Sequence, residues 1–153
     1  MFLGEAISGY LTRYQNDEGK TLNSRVDENR NVHFDYKGND YTFIPDFRMM
    51  TFKLHFIKDA IRLNENDLLP FINDVNIRAY YGKIVLDEDA LDIVFEQDLA
   101  PCLGLDGRFE VNNALRSQSG AETFVGFIWG AIKCLSLIKD GIQEEFEKKF
   151  GKI

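Results

Sequence analysis

The chain has 153 residues, 44% hydrophobic and 28% charged, a balance that fits one folded domain over residues 1–153 and excludes a disordered chain. A formal charge of −7 and an isoelectric point near 4.8 argue against nucleic acid and anionic membrane as partners, because both are recruited by basic patches. The two cysteines, Cys102 and Cys134, have neither metal-type spacing nor a cystine framework and read as reduced thiols in a cytoplasmic protein.

In chain order, Leu3, Ile7, Tyr10, Leu11 and Tyr14 recur at helical spacing and predict an amphipathic first helix, ended by Asn16-Asp17-Glu18-Gly19. The opening MFLGEAISGY lacks the basic-then-apolar order of a signal peptide, so none is expected. The period then changes to two. Val26 marks a short strand, and Val32, Phe34 and Tyr36 alternate with His33, Asp35 and Lys37. Lys37-Gly38-Asn39-Asp40 spells a tight turn, after which Tyr41 and Phe43 resume the alternation. Beyond Pro45-Asp46, Met50, Phe52, Leu54 and Phe56 define a third long strand.

Helical spacing returns at Leu68, Ile72, Val75 and Ala79, with Asp67 as the expected N-cap and Pro70 in the first turn. Gly82 ends that helix. Ile84 and Leu86, then Leu91, Ile93 and Phe95, make a second hairpin around the acidic turn Asp87-Glu88-Asp89. Pro101, Gly104 and Gly107 predict a loop, and Val111 to Ser117 a short helix with an Asn cap. Ser119 and Glu122 have the spacing of a capping box and are expected to open the last helix.

That helix carries the longest apolar run, Phe124 to Ile138, about 15 residues with Lys133 inside it. A membrane span needs about 20, so a buried helix is expected. Ala121, Phe124, Ile128, Ala131, Leu135, Ile138, Ile142 and Phe146 form one stripe toward the sheet. Phe127, Cys134 and Leu137 lie on a second side, Trp129 sits among charged and polar neighbours, and Gly126, Gly130 and Cys134 make a track of small residues. The fold class is therefore α+β: an antiparallel sheet of about five to six strands packed by three helices in the order α-βββ-α-ββ-α, with a long C-terminal helix.

Catalytic and metal-binding constellations are not legible. His33 and His55 fall on polar strand faces with Asp35 and Lys53, but two histidines with no third ligand define no site, and they read as solvated sheet residues. Asp87-Glu88-Asp89 lacks the calcium-loop pattern, and Gly104-Leu-Asp-Gly107 is a turn and not a phosphate loop. Asn73 and Asn76, three apart, share a helix face. They are expected either to contact a partner or to bond backbone groups where the helix meets the next strand.

The stretch Phe71-Ile-Asn-Asp-Val-Asn76, followed by Gly82-Lys-Ile-Val-Leu-Asp-Glu-Asp89 and the strand to Leu99, resembles the YbjN family, of type III secretion chaperone-like fold. Asn73 and Asn76 fill the two asparagine positions of that family's leucine-asparagine-x-x-asparagine helix end, with Ile72 in place of the leucine. The hairpin Val32 to Phe43 is similar to the family's first hairpin. The resemblance implies no catalytic residues and no cofactor. It implies a non-enzymatic protein-binding module, chaperone-like or regulatory, that is often dimeric. The expected homodimer or partner interface is the second side of the last helix: Phe127, Trp129, Gly130, Lys133, Cys134 and Leu137, with Trp129 as anchor. The alternatives are a small-ligand sensor with a pocket between the last helix and the sheet, and an enzyme using His33 or His55.

Overall fold

Alternation in the strands dictates the architecture. The computed structural model describes residues 3–16, 18–46, 49–78, 82–87, 89–99 and 111–152. Its elements are α1 (Leu3–Arg13), β1 (Ser24–Val26), β2 (Val32–Tyr36), β3 (Asn39–Pro45), β4 (Met49–Ile57), a 3₁₀ turn (Ala60–Arg62), α2 (Glu65–Arg78), β5 (Lys83–Asp87), β6 (Ala90–Asp98), α3 (Val111–Leu115) and α4 (Gln118–Phe150). The expected α+β class holds. The expected loop at Pro101, Gly104 and Gly107, together with Cys102, lies outside the described residues, as do Asp17, Ala79 and Glu88.

The six strands form one antiparallel sheet in the order β1-β2-β3-β4-β6-β5. The β2–β3 connection is a two-residue hairpin in which Lys37 and Gly38 both take positive φ (51° and 77°), the pairing that matches strand twist. The second hairpin folds back so that β6, and not β5, joins β4.

Val32, Phe34, Tyr36, Tyr41, Phe43, Met50, Phe52, Leu54, Leu91 and Ile93 point to one face and are buried. They pack against Ile7 and Leu11 of α1, Leu68 and Phe71 of α2, and Phe124, Ile128, Ile132 and Leu135 of α4 in one core cluster. Phe43 lies against both Phe52 and Phe124, with ring centroids 4.8 Å and 6.1 Å away. Each of these fully buried side chains contributes about 1.5–3 kcal/mol by leaving water.

Two helix starts differ from expectation. α2 begins at Glu65, because the Asn64 side-chain oxygen accepts from the Asn66 N–H and its carbonyl from the Asp67 and Leu68 N–H groups. Asn64, and not Asp67, supplies the cap, and Pro70 falls beyond the first turn. α4 is capped by Ser117, whose Oγ accepts from the Gly120 N–H at 3.0 Å while donating to the Ala114 carbonyl. The cap is therefore two residues ahead of Ser119. The sharp α3–α4 corner brings the Ala114 carbonyl onto Gly120, where a Cβ would overlap it. Gly120→Ala is expected to cost about 1–3 kcal/mol, read as a lowered midpoint in urea unfolding.

Candidate functional site

The face of the sheet opposite the core carries the other half of each alternation: His33 and Asp35 from β2, Asp40 and Thr42 from β3, Lys53 and His55 from β4, Asp87 from β5 and Asp92 from β6. His33 and His55 are not on neighbouring strands, because β3 runs between them. What joins them is Thr42. Its Oγ1 lies 3.1 Å from His33 Nδ1 and 3.2 Å from His55 Nε2.

Both rings end on carboxylates. His33 Nε2 is 2.6 Å from Asp27 Oδ2, and His55 Nδ1 is 2.7 Å from Asp92 Oδ1. Asp27 is held in place by its turn, since its other oxygen accepts the N–H groups of Asn29 and Asn31. The His33 ring holds the Asp27 carboxyl below the usual carboxylate range. Asp92 sits directly across from His55 in the β4–β6 register and is 0% exposed, with no hydrogen-bond partner for Oδ2 among the described residues. Its hydrogen bond to Asp92 pushes the His55 ring above the usual histidine value, and burial pushes the Asp92 carboxyl up. An ionised carboxylate this deep is tolerable only beside a cation, and the His55 ring is the group placed to supply that charge.

Two flanking ion pairs complete the face. Lys53 reaches Asp87 at 3.0 Å and Lys58 reaches Asp40 at 3.2 Å, and each holds its carboxylate below the ordinary value. Two open hollows of about 580 and 550 Å³ lie over this surface and meet at His33, Thr42 and His55. Among the described residues no group of three or more His, Cys, Asp or Glu is placed to hold a metal ion. The space between α4 and the sheet, where the ligand-sensor reading puts its pocket, contains the fully buried rings of Phe43, Phe52, Phe124 and Phe146.

Asn76 has a different task. Its Nδ2 donates to the Ile84 carbonyl at 2.9 Å and its Oδ1 accepts the Ile84 N–H at 2.8 Å. The side-chain amide thus stands in for a neighbouring strand at the free edge of β5, which closes that edge to strand addition at Ile84. Of the two readings for this helix end, the backbone-bonding one holds for Asn76. Asn73 is exposed.

The expected interface on α4 is partly rearranged. Gly130, Lys133, Cys134 and Leu137 are exposed on one outward face, with Leu137 74% exposed and Phe127 half-buried beside them. Trp129 is not an exposed anchor. It is 3% exposed and meets Tyr36 edge-on at 5.0 Å, because its position on the helix turns it toward the end of β2. Gly126, Gly130 and Gly141 share the outward face, and nothing lies within 4 Å of where their Cβ atoms would be. Gly126 and Gly130 floor a groove of about 540 Å³ bounded by Arg13, Tyr14, Glu122 and Lys133. Within α4 an 18-residue window has mean hydropathy 1.5, enough by length and composition to cross a membrane, and 44% of that window is buried in the fold.

No protein-family model matches the chain, and no curated protein matches it.

Asp92 was missed from sequence because the strand order that brings it to His55 is not a local property, whereas Thr42 follows from the two-residue Lys37-Gly38 turn, which sets it across from His33. The signal that could have found Asp92 is a charge placed between Leu91 and Ile93 on a strand buried on both sides of it. Asn76→Ala is expected to destabilise the fold by about 1–3 kcal/mol, since it strands two backbone groups. Asn73→Ala should change it by less than about 0.5 kcal/mol. Urea unfolding of the two variants separates these roles.

Proposed function

We propose that this chain is a non-enzymatic protein-binding module, chaperone-like or regulatory and cytoplasmic, that works as a homodimer through the outward face of α4. The observation that carries the reading is a projection and a recess on that one face. Leu137 stands out into solvent, and the groove floored by Gly126 and Gly130 lies two to three helical turns away. A twofold axis between them sets each copy's Leu137 into the other's groove, which is what a self-complementary interface requires.

The glycines strengthen the argument. Each costs about 1 kcal/mol in a helix interior relative to alanine. Gly120 is needed by its own chain, because Ala114 crowds it, whereas Gly126 and Gly130 have open space. Their smallness serves an approach from outside. Cys134, small and exposed, continues the same track.

Support for a non-enzymatic role comes from the histidines. Both nitrogens of both rings face protein groups, so neither ring offers a free nitrogen to take a substrate proton. The wider role, chaperone-like or regulatory binding, rests on the resemblance to the YbjN family at Asn73, Asn76 and the Gly82-Lys83 strand, and the helix–strand order along the chain is consistent with it.

Light scattering on the full chain at micromolar concentration should give twice the chain mass. Leu137→Glu and Gly130→Leu alter only exposed positions, so both should give the single-chain mass with unfolding still cooperative. A wild-type chain that is monomeric at those concentrations, or variants as dimeric as wild type, would contradict the reading.

A further inference from the structure

The line Asp27–His33–Thr42–His55–Asp92 contains four contacts, each of which needs one hydrogen. The nitrogen facing Asp27 carries its hydrogen, because that carboxyl is held low and only accepts, and with Asp92 ionised beside a charged His55 the nitrogen facing Asp92 carries one too. The two inner nitrogens face one hydroxyl, which owns a single hydrogen. If both rings are neutral, two acceptor nitrogens compete for it and one is left unpaired. If both are imidazolium, two N–H groups fill the lone pairs of Oγ1 and the hydroxyl hydrogen has no place in the line. One imidazolium and one neutral ring satisfy all four contacts.

We propose that Thr42 couples His33 and His55 into a one-proton device on the open face of the sheet, in which one ring is charged, the other is neutral, and the direction of the Thr42 hydroxyl records which. The charged ring is His55. Asp92 beside it is fully buried, whereas Asp27 is partly solvated and already accepts two backbone N–H groups. Hence His55 Nε2–H donates to Thr42 Oγ1, Thr42 donates to His33 Nδ1, and His33 Nε2–H donates to Asp27. Thr42 is itself buried, so water does not replace a lost partner cheaply.

The groups that face this line from each packed element are these. His33 meets Asp27 from the β1–β2 turn, Arg25 across β1 and Thr42 from β3. His55 meets Asp40 and Thr42 from β3, Asp92 from β6 and Asp87 from β5, while Lys53 and Lys58 from its own segment are occupied by Asp87 and Asp40. Three carboxylates, Asp40, Asp87 and Asp92, face two ammonium groups around His55, and the one negative charge in excess favours keeping its proton.

The sign follows. A histidine whose folded pKa is raised adds stability that is complete below its ordinary value near 6.5 and is lost as pH rises through the folded value. The face is thus a proton-responsive surface. Raising the pH from about 6 to about 8.5 should remove one charge from it, break one Thr42 contact and lower the unfolding temperature.

The chain has only two histidines, so imidazole ¹⁵N spectra of the intact protein resolve the question. At about pH 7 one ring should show the imidazolium pattern, and the other should be neutral with its proton on Nε2. Thr42→Val should lower the midpoint of the charged ring by about half a pH unit or more, and Thr42→Ser, which keeps the hydroxyl, should restore it. Two rings neutral at that pH, or midpoints equal in wild type, Thr42→Val and Thr42→Ser, would overturn the proposal. If Thr42→Val does not fold, the wild-type ring pattern decides alone.

Discussion

Burial of one face of the sheet under α4 is the constraint on which the rest of the structure depends. The period-two strands β2, β3, β4 and β6 place Phe34, Tyr41, Phe43, Phe52 and Ile93 on that face, and the inner stripe of α4 closes over them. Every opposite side chain is then assigned to the outer face with no further choice. A one-residue slip in β3 would bring Thr42 inward and expel Phe43, so the register that protects the core also holds Thr42 between the two histidines.

The same burial decides what α4 shows to solvent. Phe124, Ile128, Ile132 and Leu135 are fixed against the sheet, which turns Gly126, Gly130, Cys134 and Leu137 outward and leaves Trp129 at the boundary against Tyr36. The far end of the helix is anchored separately. Arg78 of α2 donates two bonds to Glu145, and Phe71 stacks edge-on with Phe146 and Phe150. A helix of 33 residues held at both ends presents its outer face as one rigid surface.

Much of this was legible in the chain. Alternation located β2 to β6 and Val26 alone marked β1, Lys37-Gly38 located the hairpin turn, and the stripe from Ala121 to Phe146 identified the covering helix. These signals are local, with periods read inside one segment. Position between segments was not legible. Nothing in Leu91 to Phe95 says that β6 will insert beside β4, yet that insertion puts Asp92 across from His55 and so adds the buried end of the line that Thr42 draws between the two histidines. The caps shifted for a related reason. Asn64 and Ser117 compete with Asp67 and Ser119, and the chain direction entering each helix selects between them. Trp129 does share a helix side with Lys133 and Asp140, but Tyr36 at the end of β2 covers it there, and helix period alone does not say which residues of other elements reach that side.

If a second copy covers the outward face of α4, Cys134 lies in the middle of the covered surface. The most direct measurement is the rate at which the Cys134 thiol reacts with a small maleimide in a Cys102→Ser chain, followed across protein concentration. With a dimer, the rate falls as concentration rises through the dimer range and stays at the free-thiol value when Leu137→Glu is added. A rate that is independent of concentration and equal in both chains would contradict it.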